Sequence, residues 1–259
     1  MAATIKALIV WSWWGSGWWT VWFTYNSWWG GWEVLYNPTL SITPWAYSVV
    51  VGTGWAWGNN TNGTDWPDST FNGLTGRWGK WATVFSGTVT KWWDSWNWSF
   101  TGWSSTTGGS GGAGDSANGW VSIWYAVGAS GWNGTANSIS GASVTYGWGG
   151  GGASSTTGGA GWTGWGGGGY WGAAGAGTNG TANSGWGGGG SVSTTGASWW
   201  SGIVIISYAT NGSDGVSTSS TGGTITTSGW QTIHTFTANG TFTMVASSTA
   251  NSAMFDFFL

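Results

Sequence analysis

The sequence predicts an all-β fold with little or no helix, on three observations. Its apolar runs are short, rich in Val, Ile, Tyr and Phe, and bounded by Gly, Asn, Ser or Pro, the pattern of strands between turns. No stretch repeats its apolar residues at helical spacing. Gly supplies 53 of the 259 residues, and Gly resists ordering because it loses more backbone freedom than any other residue. So many glycines suit a linker, turns, or places where two backbones approach too closely for a Cβ.

In chain order, residues 5–10 (IKALIV) read as a buried strand that runs into a Trp/Gly/Ser stretch. A small apolar island follows at 21–25. Residues 33–36 and 39–43 are short strand candidates, with Asn37-Pro38 and Thr43-Pro44 as turns. Residues 46–51 (AYSVVV) are the clearest strand of the first half. Residues 54–68 are loop, since Asn, Thr and Gly dominate and Pro67 restricts Trp66. Strands are predicted at 69–74 and 82–85, with 88–91 extending them, and again at 121–127 and 142–146. Residues 202–208 (GIVIISY) form the strongest strand, apolar enough to be buried on both faces.

A polar connector at 211–220 leads to a short strand at 224–227. Residues 232–237 and 241–245 alternate around Ala238-Asn239-Gly240, which predicts a hairpin on an Asn-Gly turn. That alternation puts Ile233, Thr235 and Thr237 on one face and His234 and Phe236 on the other. The chain ends in MFDFFL, an apolar tail that needs a partner surface. The organisation expected is a glycine-rich β domain over 1–209, a linker over 210–223 and a small β-hairpin module over 224–259.

Composition excludes several functions. Charged residues are 4% of the chain, and Lys6, Arg77, Lys80 and Lys91 are its only cations. With a net charge of −3, nucleic acid is not an expected partner, because phosphate neutralisation needs Lys and Arg. Cys is absent, so there is neither a disulfide framework nor a thiolate metal site. No apolar run reaches the length of a membrane span, and no membrane insertion is expected.

The centre of the chain, 147–190, has no charge and almost no aliphatic residue. Short phrases recur around it: NGTANS at 133–138 and 179–184, and SSTTGG at 104–109 and 154–159. The recurrence suggests stacked, similar turns, set against coincidence in a chain biased to Ser, Thr and Gly.

The order of ALIV (7–10), PTLSITPWAYSVVVGTG (38–54), DSTFNGL (68–74), the glycine tract and SGIVIISYAT (201–210) resembles the glycine-rich domain of phage and phage-like tail fibre and tail-tip adhesin proteins. The segment GGTITTSGWQTIHTFTANGTFTMV (222–245) is similar to the hairpin module that accompanies such domains. The resemblance covers roughly 5–208. It implies a virion or extracellular structural protein that binds a host-surface receptor or glycan through loops on a rigid scaffold. It also implies contacts with other tail proteins and a homotrimer. For the glycine tract it implies layered polyglycine-II helices, whose N–H and C=O groups pair between neighbours; a disordered glycine loop is the alternative.

Along this resemblance Trp repeatedly stands where the family has Gly, as at Trp45, Trp55, Trp57, Trp148, Trp162 and Trp165. UGA is read as Gly in some genetic codes and as Trp in others. Our hypothesis is that most of the 31 Trp are Gly in the native protein. Intact Trp in that protein, or UGG codons in its gene, would sink it. The other reading is a genuine Trp-rich extracellular carbohydrate-binding or matrix protein. Each Trp brings about 150–250 Å² to bury, yet these sit in Gly/Ser runs of no fixed period.

The candidate receptor-binding residues are Asn59, Asn60, Asn62, Asp65 and Asp68 in the 54–68 loop, because loops on a scaffold carry specificity. These residues could also hold a cation, but Asx turn-capping explains them more simply. His234 is the only His and has no acidic neighbour in sequence, so it reads as a sheet-face residue. GLTGRWGKW (73–81) lacks the spacing and the Ser/Thr of a phosphate loop. No nucleophile, base and orienting group occur together, so neither an enzyme nor a cofactor is expected.

Overall fold

The computed structural model describes residues 2–11, 33–53, 68–76, 130–131, 133–151, 158–160, 178–185 and 201–248. Among these the chain is all β, with antiparallel pairing throughout and no helix. Its strands are β1 (Ala3–Val10), β2 (Val34–Ile42), β3 (Ala46–Val50), β4 (Ser69–Phe71), β5 (Leu74–Gly76), β6 (Thr135–Asn137), β7 (Val144–Tyr146), β8 (Ile203–Ala209), β9 (Thr224–Ser228), β10 (Gln231–Phe236) and β11 (Gly240–Thr243). They form a five-stranded sheet β2-β1-β8-β10-β9, a four-stranded sheet β11-β3-β4-β5 and the two-stranded β6-β7.

The two apolar runs singled out from sequence, β1 and β8, lie side by side in the middle of the larger sheet and are buried on both faces. Side chains alternate along a strand, so each strand feeds two cores. Ile5, Ile9, Val204, Ile206 and Tyr208 face the four-stranded sheet and pack with Val49, Phe71, Phe242 and Met244. Leu8, Val10, Ile203, Ile205 and Ile233 face the other way and meet Ile139 and Tyr146 beside β6-β7. The molecule is thus a sandwich with a third, smaller layer. The alternation expected at 232–237 holds for its apolar members: Ile233 belongs to the second core and Phe236 to the first.

Five local expectations are corrected. Strands 33–36 and 39–43 are one strand, β2. Asn37-Pro38 is a bulge and not a turn: between Ile5 and Ala7 the register of β2 slips by one residue. Pro38 can sit there because β2 is an edge strand, where a missing N–H costs no ladder bond. The predicted strand 69–74 is instead the hairpin β4-β5, turned at Asn72 (φ 44) and Gly73 (φ 76). Two positive φ angles make a type I′ turn, which suits the twist of a hairpin.

The hairpin expected across Asn239-Gly240 does not form. β10 pairs with β8 and β9, whereas β11 pairs with β3 in the other sheet. The Asn-Gly pair therefore sits in an arch between sheets, and β9-β10, turned at Gly229-Trp230, is the hairpin of this region. Strands on both sides of 210–223 share both sheets. The connector itself is ordered, with Val216 bridged to Ala246 and Thr221 to Thr243. Fifth, the NGTANS copies differ: 135–137 of the first is strand β6, and 182–184 of the second lie in a turn. The apolar island at 21–25, the strand expectations at 82–85, 88–91 and 121–127, and the apolar tail at 254–259 lie outside the described residues.

Where the glycine tract is described, its backbones touch. A Cβ on Gly131 would collide with the Gly149 carbonyl, one on Gly134 with that of Tyr146, and one on Gly151 with that of Gly159. Backbone hydrogen bonds join the same segments, from Gly131 N to Ala160 O (3.2 Å) and from Gly147 N to Ser184 O (3.1 Å).

Candidate functional site

Strand direction and register sort the connections by end. At one end β1 finishes at Val10, opposite Ile203 of β8 and Val34 of β2. In the facing sheet Ser69, which opens β4, pairs with Gly76, which closes β5. Gly76 lies against Ile9 and Trp11. The chain therefore leaves or re-enters the described structure here for 12–32, 54–67, 77–129 and 186–200. Among the described residues the opposite end holds short reversals: 43–45, Asn72-Gly73, 210–215, Gly229-Trp230 and the β6-β7 connection, whose Gly141 meets Ser228.

This end is held by bonds between residues far apart in sequence. Ser69, fully buried, donates from Oγ to the Val10 carbonyl (3.2 Å) and accepts the Gly52 N–H (3.0 Å). Gly202 N–H donates to the Gly52 carbonyl (2.9 Å). Val51 N–H donates to Asn239 Oδ1 (2.8 Å). β1, β3, β4, β8 and the 237–239 arch are thereby locked around the base of the 54–67 segment. Of the predicted site residues only Asp68 is described; it is half-buried at that base, directly before β4. Asn59, Asn60, Asn62 and Asp65 lie outside the described residues.

Sequence reasoning missed Ser69 and Asn239. Nothing local marks Ser69 as a clamp, because its partners are 17 and 59 positions away. Asn239 carried a signal, the Asn-Gly pair, but it pointed to a hairpin.

His234 stands on the inner face of β10, fully buried. Its Nδ1 is 2.7 Å from the Gly222 carbonyl and its Nε2 2.9 Å from the Tyr208 hydroxyl. A carbonyl can only accept, so Nδ1 carries the proton and Nε2 accepts from Tyr208. The ring meets Phe242 edge to face, with centroids 5.0 Å apart. Burial pushes the imidazole below its usual range, with the Gly222 hydrogen bond opposing, and pushes the Tyr208 hydroxyl up. Both ring nitrogens are committed, which leaves no lone pair for a metal or a substrate. His234 is a structural joint between β8, β10, β11 and the connector.

No family model, curated protein sequence or solved structure matches the chain.

Proposed function

We propose that the chain is a phage-type tail-fibre or tail-tip attachment protein. It acts on the virion or outside the cell and binds a host-surface receptor or glycan through segments carried at one end of its sandwich. The observation that supports this reading is that the described residues bordering 12–32, 54–67 and 186–200 meet at one end of the sandwich and are joined there through Ser69 and Asn239. Segments presented by a stiff scaffold are where specificity is carried. The order of motifs along the chain supports it as well.

The test replaces 54–67 by a short Gly/Ser linker and compares binding to a panel of bacterial cells and a glycan array. The expected result is unchanged far-ultraviolet circular dichroism with binding lost. An intact chain that binds no cell and no glycan overturns the reading.

A second reading, a carbohydrate-binding or matrix protein with Trp platforms, draws on two side chains. Trp230 is 83% exposed and Trp45 71% exposed, both at the short-turn end. Exposed rings can stack on sugars. Loss of glycan binding in Trp230→Gly and Trp45→Gly, with binding retained after 54–67 is replaced, would favour it.

A further inference from the structure

A buried chain of polar side chains runs under the connector between β8 and β9. His234 of β10, Tyr208 of β8 and Ser220 of the connector are all fully buried. The Tyr208 hydroxyl meets both His234 Nε2 and the Ser220 side chain. Ser220 Oγ accepts the Val245 N–H at 2.9 Å, and the Gly222 carbonyl accepts from His234 Nδ1. Two residues of the connector, Ser220 and Gly222, therefore complete the surroundings of the imidazole.

The elements around the ring are held unequally. β8 and β10 are each paired on both sides within one sheet. Residues 216–222 are tied to the rest of the fold by few bonds: Ser217 N–H to the Val245 carbonyl, the two Thr221–Thr243 backbone bonds, and the Ser220 hydroxyl. Val216 is their one buried apolar side chain. Gly215 (φ 87) and Gly222 (φ 120) bound the stretch at positive φ, where only Gly sits at no steric cost. Gly222 lies against the Thr241 carbonyl, and Gly223 against that of Thr235, too closely for a Cβ. The stretch is a strap, laid backbone to backbone over β10 and β11 and turned at glycines at both ends.

We infer that 216–222 is an acid-opened strap: protonation of His234 lifts it from β10 and β11 while the two sheets stay formed. Nδ1 already donates to the Gly222 carbonyl, so the proton enters at Nε2 and turns that atom from acceptor to donor. The Tyr208 hydroxyl then swings its own proton toward Ser220, and the hydrogen bonds are kept. What remains is a buried cation. Among the described residues, Tyr208, Phe242 of β11 and Ile225 of β9 pack around the ring and carry no charge. Asp214, the carboxylate of the connector, gives its oxygens to the Ala209 and Val216 N–H groups. Lys6 bonds Gln231, which lies on the Ile233 face of β10 and not the His234 face. A buried charge without a partner is costly. Lifting the strap brings water to it without parting β8 from β10, and local opening of this kind needs less than global unfolding.

The sign follows from the two forms of the site. Burial holds the closed imidazole below its usual range, with the Gly222 hydrogen bond opposing. In the open form the ring titrates near 6.5. As pH falls through that value the open form takes up the proton first, so opening is favoured.

The inference is independent of the receptor-binding reading. It is tested on the full chain by hydrogen exchange from pH 7.5 to 5.5, with rates corrected for the intrinsic effect of pH. The expected result is a rise of about tenfold in the opening of 216–222, the ratio for a group that titrates near 6.5 when open and stays neutral when closed. Peptides from β1 and β8 are expected to keep their protection. His234→Gln should abolish the response. Ser220→Ala should loosen the strap at every pH and keep it. Should His234→Gln fail to fold, the contrast between strap and β8 in the unaltered chain decides. Equal loss of protection in strap and β8 is global unfolding and overturns the inference. So does a strap whose protection ignores pH, or a response that persists in His234→Gln and so belongs to another group.

Discussion

The two ends of the sandwich are closed by different physics. At the short-turn end each reversal is made by residues beside one another in sequence. Asn72-Gly73 supplies two positive φ angles, and Gly229 (φ 56) opens the β9-β10 turn. The Tyr47 hydroxyl accepts the Thr43 N–H and donates to the Thr43 carbonyl, both at 2.8 Å, bracing the crossing from β2 to β3. At the other end, where β1 finishes and β4 begins, the strands are joined by Ser69 and Asn239, whose partners lie up to 188 positions away. A locally made turn survives the loss of distant contacts. A remotely made clamp exists only once the whole sandwich has assembled.

The largest effect is expected where a remote clamp is removed. Ser69→Ala leaves the Val10 carbonyl and the Gly52 N–H without their partner in a buried site. Each such orphan costs about 1–3 kcal/mol, so a loss of about 2–4 kcal/mol in chemical denaturation is expected. A change below about 0.5 kcal/mol would show that the end is not held through Ser69.

His234 is a remote joint that responds to pH. In the unfolded chain an imidazole titrates near 6.5, and in the fold burial holds it lower. Above both values it is neutral in both states and contributes no pH dependence. As pH falls through 6.5 the unfolded chain takes up the proton first, so stability falls. Thermal melts from pH 7.5 to 5.5 should therefore show a downward slope that His234→Gln flattens. The groups packed on the ring are Tyr208, the Gly222 carbonyl and Phe242, none of them a carboxylate that would compensate the charge. Equal slopes in the two proteins would break this assignment.

A locally made turn should tolerate more. Gly73→Ala puts a Cβ at φ 76, where space is open but the backbone is disfavoured. The expected cost is about 1 kcal/mol, with both sheets intact by hydrogen exchange. A loss as large as that of Ser69→Ala would erase the distinction between the ends.

What could be read from the sequence follows the same division. β1 and β8 were legible because burial on both faces demands unbroken apolar runs. The bulge in β2 was not, because Pro38 alone cannot tell an edge strand from a turn. The Asn-Gly rule fails in one place and succeeds in another. At 72–73 the flanking strands pair with each other; at 239–240 each flank finds a better partner, β8 and β9 for one and β3 for the other. NGTANS makes a strand at one copy and a turn at the other, so six residues do not outvote their surroundings. At the candidate site, the Asn/Asp residues of 59–68 were visible in composition, whereas the Ser69 clamp that joins Gly52 to Val10 has no local signature.

The smallest effect is expected at Trp230, and it bears on what the tryptophans are. Its ring is 83% exposed, so removing it sacrifices almost no buried surface. Gly at the second position of the β9-β10 turn is sterically free. Trp230→Gly should therefore change stability by less than about 0.5 kcal/mol. Trp11 and Trp148, at 4% and 7% exposure, are in the opposite position. Truncating a packed Trp costs about 3–5 kcal/mol, so Trp148→Gly should destabilise sharply if that ring is native. If the native residue is Gly, the Gly-bearing chain is the natural one, and its backbones can close where Gly134 already leaves no room for a Cβ beside Trp148. A Trp148→Gly chain at least as stable as the Trp chain supports the decoding hypothesis. A loss of several kcal/mol, together with an intact mass that retains Trp at both positions, overturns it.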